Sequence, residues 1–132
     1  MLYYRQFSEE IHVPHDRKQA VFEFLEELET KIASGEVDWR RGTGGGGIEY
    51  SFPGRDTYDG GTVFKLWAME NFLDTDLMLL VQGVLKAIGD DGPVTISFAY
   101  TCSSPIVNAF GGATWVIWQD RDELFDSNPN CG

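Results

Sequence analysis

Basic side chains are scarce in this chain. Ten lysines and arginines stand against 21 aspartates and glutamates, a formal net charge of −11 over 132 residues. Charge of that sign and size repels nucleic-acid phosphates and anionic lipid, which argues against direct nucleic-acid or membrane binding. Cysteine is nearly missing too. Cys102 and Cys131 are the only two, without a C-x-x-C pair or Cys/His ligand spacing. That excludes a disulfide framework and makes a reducing, cytoplasmic setting the expectation. No apolar run reaches membrane-spanning length, and "MLYYRQFSEEIHV" lacks a signal-peptide core.

Large side chains, by contrast, are plentiful. Apolar residues make up 42% and aromatics 14%, too many for an intrinsically disordered chain despite the charge. The length suits one domain, residues 1–132, with a core of its own. The acidity is uneven: residues 1–65 carry 12 acids against 8 bases, whereas residues 66–132 carry 9 against 2, Lys86 and Arg121.

Periodicity supplies the elements. Tyr3, Phe7, Ile11 and Val13 share one parity, interrupted by Arg5 and Glu9, and predict a strand over 2–13 that Pro14 ends. Val21, Phe24/Leu25, Leu28 and Ile32 form one stripe and predict a helix over 16–34, with Asp16 as N-cap and Gly35 as its stop. Ile48, Tyr50 and Phe52 predict a short strand, "GRDTYDGG" a hairpin loop, and Thr62–Met69 a central strand. Asp74 or Thr75 caps a second helix with Leu77, Leu80/Val81, Val84 and Ile88 as its stripe; Gly83 inside it marks close packing, and Gly89 stops it. Thr95–Cys102 and Thr114–Gln119 predict two further strands, and residues 124–132 a frayed tail. The order β-α-β-β-α-β-β predicts an α+β fold: a mainly antiparallel sheet with two helices on one face, ferredoxin-like, with one C-terminal strand appended.

The sequence "RRGTGGGGIEY" is its most unusual stretch. A phosphate loop needs N–H groups converging at a helix N-terminus, yet here a helix precedes the glycines and a strand follows. No Lys-Ser/Thr pair follows them either. Residues 41–47 therefore read as a flexible loop, with Arg40, Arg41 and Arg55 as candidate anion contacts. In "IHVPHD", His12 and His15 have opposite strand parity and Pro14 forbids a helical pair, so a metal or acid–base role would need irregular backbone. Cys102 shares parity with Ile96, Phe98 and Tyr100 and reads as a packed small residue rather than a nucleophile. No calcium-loop pattern is complete, and no RNA-binding aromatic motif accompanies the strand aromatics. No catalytic residue, metal set or cofactor is assigned on these grounds.

What remains is the charge. Small acidic inhibitor and immunity proteins match basic partners with carboxylate-rich surfaces, and accessory proteins of phages and mobile elements often share this composition, by analogy alone. The expectation is a non-enzymatic protein-binding domain using Glu23, Glu26, Glu27, Asp120, Asp122, Glu123 and Trp118, with a homodimer through the sheet face as one further arrangement. Two other readings stand beside it: a ligand-binding or enzymatic ferredoxin-like domain using His12, His15, Tyr58 and Arg55, and a structural assembly subunit.

Overall fold

The computed structural model describes residues 3–39, 47–69, 72–102 and 111–127. Strands β1 (Tyr3–Val13), β2 (Glu49–Ser51), β3 (Thr62–Ala68), β4 (Val94–Cys102), β5 (Gly111–Ile117) and β6 (Asp122–Ser127) form one antiparallel sheet in the order β2-β3-β1-β4-β5-β6. Helix α1 (Lys18–Ser34) follows β1, and α2 (Asp74–Ile88) follows β3. The protein is thus α+β, with a six-stranded antiparallel sheet and two helices.

Register decides which side chains meet the helices. Ile11 pairs with Phe64 and Phe7 with Ala68, while Ile96 pairs with Trp115 and Phe98 with Ala113. All eight are buried. They join Val21, Leu25 and Leu28 of α1 and Leu77, Leu80, Val81 and Val84 of α2 in a single core. An edge-on chain of rings, Phe7–Phe72, Phe7–Phe98 and Phe98–Trp115, runs across β1, β4 and β5. On the other face Ser8, Glu10, His12, Lys65, Thr95, Ser97 and Ala99 are exposed. Alternation of apolar and polar positions is the physical reason: one face is dry and the other wet.

The two helices touch closely at Gly83. A Cβ built there would lie 2.1 Å from Cζ of Phe24, so the bare backbone of α2 receives the ring carried by α1. The glycine stops hold as expected, with Gly35 at φ +82° and Gly89 at φ +69°.

Four sequence expectations need correction. Asp16 does not cap α1; it sits in a single 3-10 turn, His15–Arg17, and Arg17 precedes the helix without a side-chain cap. Neither Asp74 nor Thr75 is the cap of α2, since both lie inside its first turn after Leu73. The Asp74 carboxylate is turned instead to Arg5, 2.6 Å away. Trp118 lies beyond β5 in the turn that follows it. Residues 124–127 are not a frayed tail, because Asp122–Ser127 is a full strand paired to β5 from Ile117↔Asp122 to Gly112↔Ser127. Residues 128–132 and Arg40–Gly46 of the glycine loop lie outside the described residues; Gly47 is buried at φ +115°.

Candidate functional site

Two turns meet at one end of the sheet. The first, Gly89–Pro93, closes α2 by a pair of main-chain bonds: Gly89 N–H to Lys86 C=O at 3.2 Å and Asp90 N–H to Leu85 C=O at 3.0 Å. This left-handed closure satisfies two orphan carbonyls and throws the chain sharply toward β4. The Asp90 carboxylate then accepts the Gly92 N–H at 2.9 Å. Gly92 itself has φ +95°, and a Cβ there would come within 3.0 Å of the Ile117 carbonyl oxygen and 3.2 Å of the Trp118 Cα. Only glycine lets the turn lie so close to the end of β5.

The second turn, Trp118–Arg121, joins β5 to β6 and is closed by Trp118 N–H to Arg121 C=O at 2.8 Å. Gln119 ties the turns together. Its main-chain N–H donates to the Asp91 carbonyl at 2.9 Å and its side-chain amide to the Asp90 carbonyl at 3.3 Å. Gln82 of α2 donates to the Trp118 carbonyl at 3.1 Å. Between the turns lies a cleft of about 450 Å³ lined by Asp91, Gly92, Trp118, Gln119, Asp120 and Arg121.

This end carries five carboxylates (Asp90, Asp91, Asp120, Asp122 and Glu123) and one guanidinium, Arg121. Arg121 stacks 4.3 Å from the centre of the Trp118 ring and lies 3.7 Å from Asp120. Asp122 differs from the others: it accepts the Trp115 indole N–H at 2.8 Å and so fixes the first residue of β6 to the core. Glu123 pairs with Val116 on the opposite face from Asp122. The chemistry available is acceptance of hydrogen bonds by carboxylates and of a cation by an indole face.

The expected binding residues therefore divide. Asp120, Asp122, Glu123 and Trp118 belong to this end. Glu23, Glu26 and Glu27 are exposed on α1, where Glu27 pairs with Lys31 at 3.2 Å. Asp90, Asp91, Gln82 and Gln119 were missed by sequence reasoning. One signal was available: if Thr95–Cys102 and Thr114–Gln119 pair as antiparallel neighbours, the turn before the first and the turn after the second share an end.

A second polar cluster lies on the wet face of β1. The His12 ring nitrogen Nε2 lies 3.2 Å and 3.0 Å from the two Asp59 carboxylate oxygens and 3.3 Å from the Thr57 hydroxyl. The Thr57 hydroxyl donates to Asp59, and the Gly61 N–H reaches the same oxygen at 3.0 Å. The Thr57 hydroxyl, the Gly61 amide and the His12 ring together hold the Asp59 carboxyl well below the usual carboxylate range. A nucleophile–base–acid relay needs the imidazole between the other two groups, one at each nitrogen. Here Thr57 and Asp59 share one nitrogen and bond each other, so the cluster is a latch for loop 54–61. Arg55 belongs to the same latch, 3.3 Å from Glu10. Tyr58 projects wholly into solvent and does not converge with His12 on a cavity; Arg40 and Arg41 lie outside the described residues.

Among the described residues no group of three or more His, Cys, Asp or Glu is placed to hold a metal ion, and no helix is long and apolar enough to cross a membrane. No protein-family model matches the chain, and the searches of curated proteins and of solved structures gave no match.

Proposed function

We propose that the chain is a non-enzymatic protein-binding domain that engages a basic partner through the acidic end formed by Asp90, Asp91, Asp120, Asp122 and Glu123 around Trp118. One observation carries this reading: Gln119 fastens two separate acidic turns side by side. Carboxylates about thirty positions apart in sequence come to one end of the sheet, where with Arg121 the formal charge is −4. Clustered charge of one sign speeds encounter with the opposite sign and rejects wrong partners. The Trp118 face, with a guanidinium already stacked on it, is suited to an arginine from the partner. An inhibitor or immunity-type role, or that of an accessory protein of a mobile element, fits such a surface by analogy.

The scaffold supports a finer reading too. The first four strands stand in the order β2-β3-β1-β4 with one helix after β1 and one after β3. We read this as a ferredoxin-like split β-α-β unit, extended past β4 by β5 and β6.

The test is affinity capture from lysate at low and high salt. The wild type is compared with Asp120→Lys/Glu123→Lys and with Glu26→Lys/Glu27→Lys. Capture that is salt-sensitive, lost in the first variant and kept in the second places the partner at the acidic end. A partner held equally by all three proteins at every salt concentration refutes the reading.

A further inference from the structure

The outer edge of the sheet beside this acidic end has the geometry of an acceptor. Among the described strands β6 has a single neighbour, β5. Asp122, Glu123, Leu124 and Phe125 are all exposed, Leu124 at 46% and Phe125 at 59%. The bond from Trp118 N–H to Arg121 C=O sets the phase of the β5–β6 ladder. Antiparallel ladders alternate, so Glu123 and Phe125 aim their main-chain groups at Val116 and Thr114. Asp122, Leu124 and Asp126 then offer theirs to the open side. Edge strands usually deter further pairing by being short or by carrying proline, bulges or charge. The opposite edge, β2, is short: it has three residues and Pro53 follows closely. β6 has six residues with no proline or glycine, and among the described residues its only deterrent is charge.

That charge also selects the occupant. The strand carries three acids, Asp122, Glu123 and Asp126, and no base. A second copy would bring the same three acids and another net charge of −11. Pairing Leu124 with its own counterpart would set Asp122 opposite Asp126. A basic strand meets attraction at those positions, and because successive strand residues point to opposite faces, the apolar residues between its bases would lie on the other face and cover Phe125. We infer that β6 receives an extended protein segment alternating basic with apolar residues, which adds to the sheet as a seventh strand. This rests on the acidic-end reading above and gives its mode of contact.

The experiment uses the full chain and two synthetic peptides of one sequence, alternating lysine with valine, the second methylated at every main-chain nitrogen. Both carry the same charge; the second has no main-chain N–H to donate and cannot form a ladder. Binding followed by amide NMR is expected to shift and protect the Asp122, Leu124 and Asp126 N–H groups with the unmethylated peptide. Its affinity is expected to exceed that of the methylated peptide by about tenfold, equivalent to about 1.4 kcal/mol. Leu124→Pro removes the central outward N–H and should abolish that difference; if the variant loses β6 altogether, the two peptides on the wild type still decide. Equal binding of both peptides overturns strand addition and leaves the acidic surface standing. Binding of neither at low ionic strength overturns both readings. Shifts on β6 that grow with protein concentration in the absence of peptide make a second copy the occupant and overturn the inference.

Discussion

At the scale of single residues, Gly83 and Phe24 form a coupled pair. Replacing Gly83 by alanine improves helix propensity by about 1 kcal/mol, yet its Cβ would overlap the Phe24 ring. Overpacking of this kind costs about 1–3 kcal/mol, so Gly83→Ala should be destabilising overall, by up to about 2 kcal/mol in urea unfolding. In a Phe24→Ala background the same change should turn neutral or stabilising, and additive effects would show that the two do not touch. Asp59 makes a different kind of prediction. Its carboxyl is depressed in the folded chain, so the stability it contributes is present above the unfolded carboxylate range near pH 4 and fades as pH falls through and below it. Asp59→Asn should therefore melt lower than wild type near neutrality and converge with it in acid. A gap in melting temperature that stays constant with pH would dissociate Asp59 from the latch.

At the scale of elements, Arg5 shows how β1 governs the start of α2. It donates to the Asp74 carboxylate and to the Phe72 carbonyl, both at 2.6 Å, and stacks 4.1 Å from the Phe72 ring centre. Gln6 adds a bond to the Met69 carbonyl at 2.7 Å. Arg5→Ala should cost about 2–3 kcal/mol, the range for charge-assisted bonds, with Arg5→Lys intermediate because an ammonium cannot reach both acceptors while stacking. Urea midpoints check it. This contact explains one limit of sequence reading. Periodicity placed both helices and the first five strands to within a few residues, because all but β2, whose Tyr50 is only half-buried, bury a stripe of their own. It misplaced the cap of α2, since the partner of Asp74 lies 69 positions away. It missed β6 because that strand buries little: Leu124 and Phe125 are exposed, and pairing with β5 is what holds it. The acidic end was half legible. Asp120, Asp122, Glu123 and Trp118 could be named, but Asp90 and Asp91 join them only through Gln119, a bond that leaves no local pattern.

At the scale of the whole molecule, the formal charge is distributed rather than uniform, and its carboxylates have separable tasks. Asp120 and Glu123 are exposed, and Glu123 has no bond to the core among those described. Reversing both should change unfolding free energy by no more than about 0.5 kcal/mol each while weakening capture of a basic partner. Asp122→Ala should do the opposite first: it strips the Trp115 indole of its acceptor and should lower stability by about 1–2 kcal/mol. Comparing unfolding curves with capture for the two variants separates binding charge from structural charge; a large stability loss in the first would refute the division.

The guanidinium resting on Trp118 has one more consequence. Trp39 and Trp115 are buried and Trp67 lies on β3, so Trp118 is the indole set in the acidic cleft. A visiting arginine that takes the seat of Arg121 would change the surroundings of that indole and leave the other three as they were. The chain carries an optical probe at its own doorstep, and emission from that ring can report arrival before any label is attached.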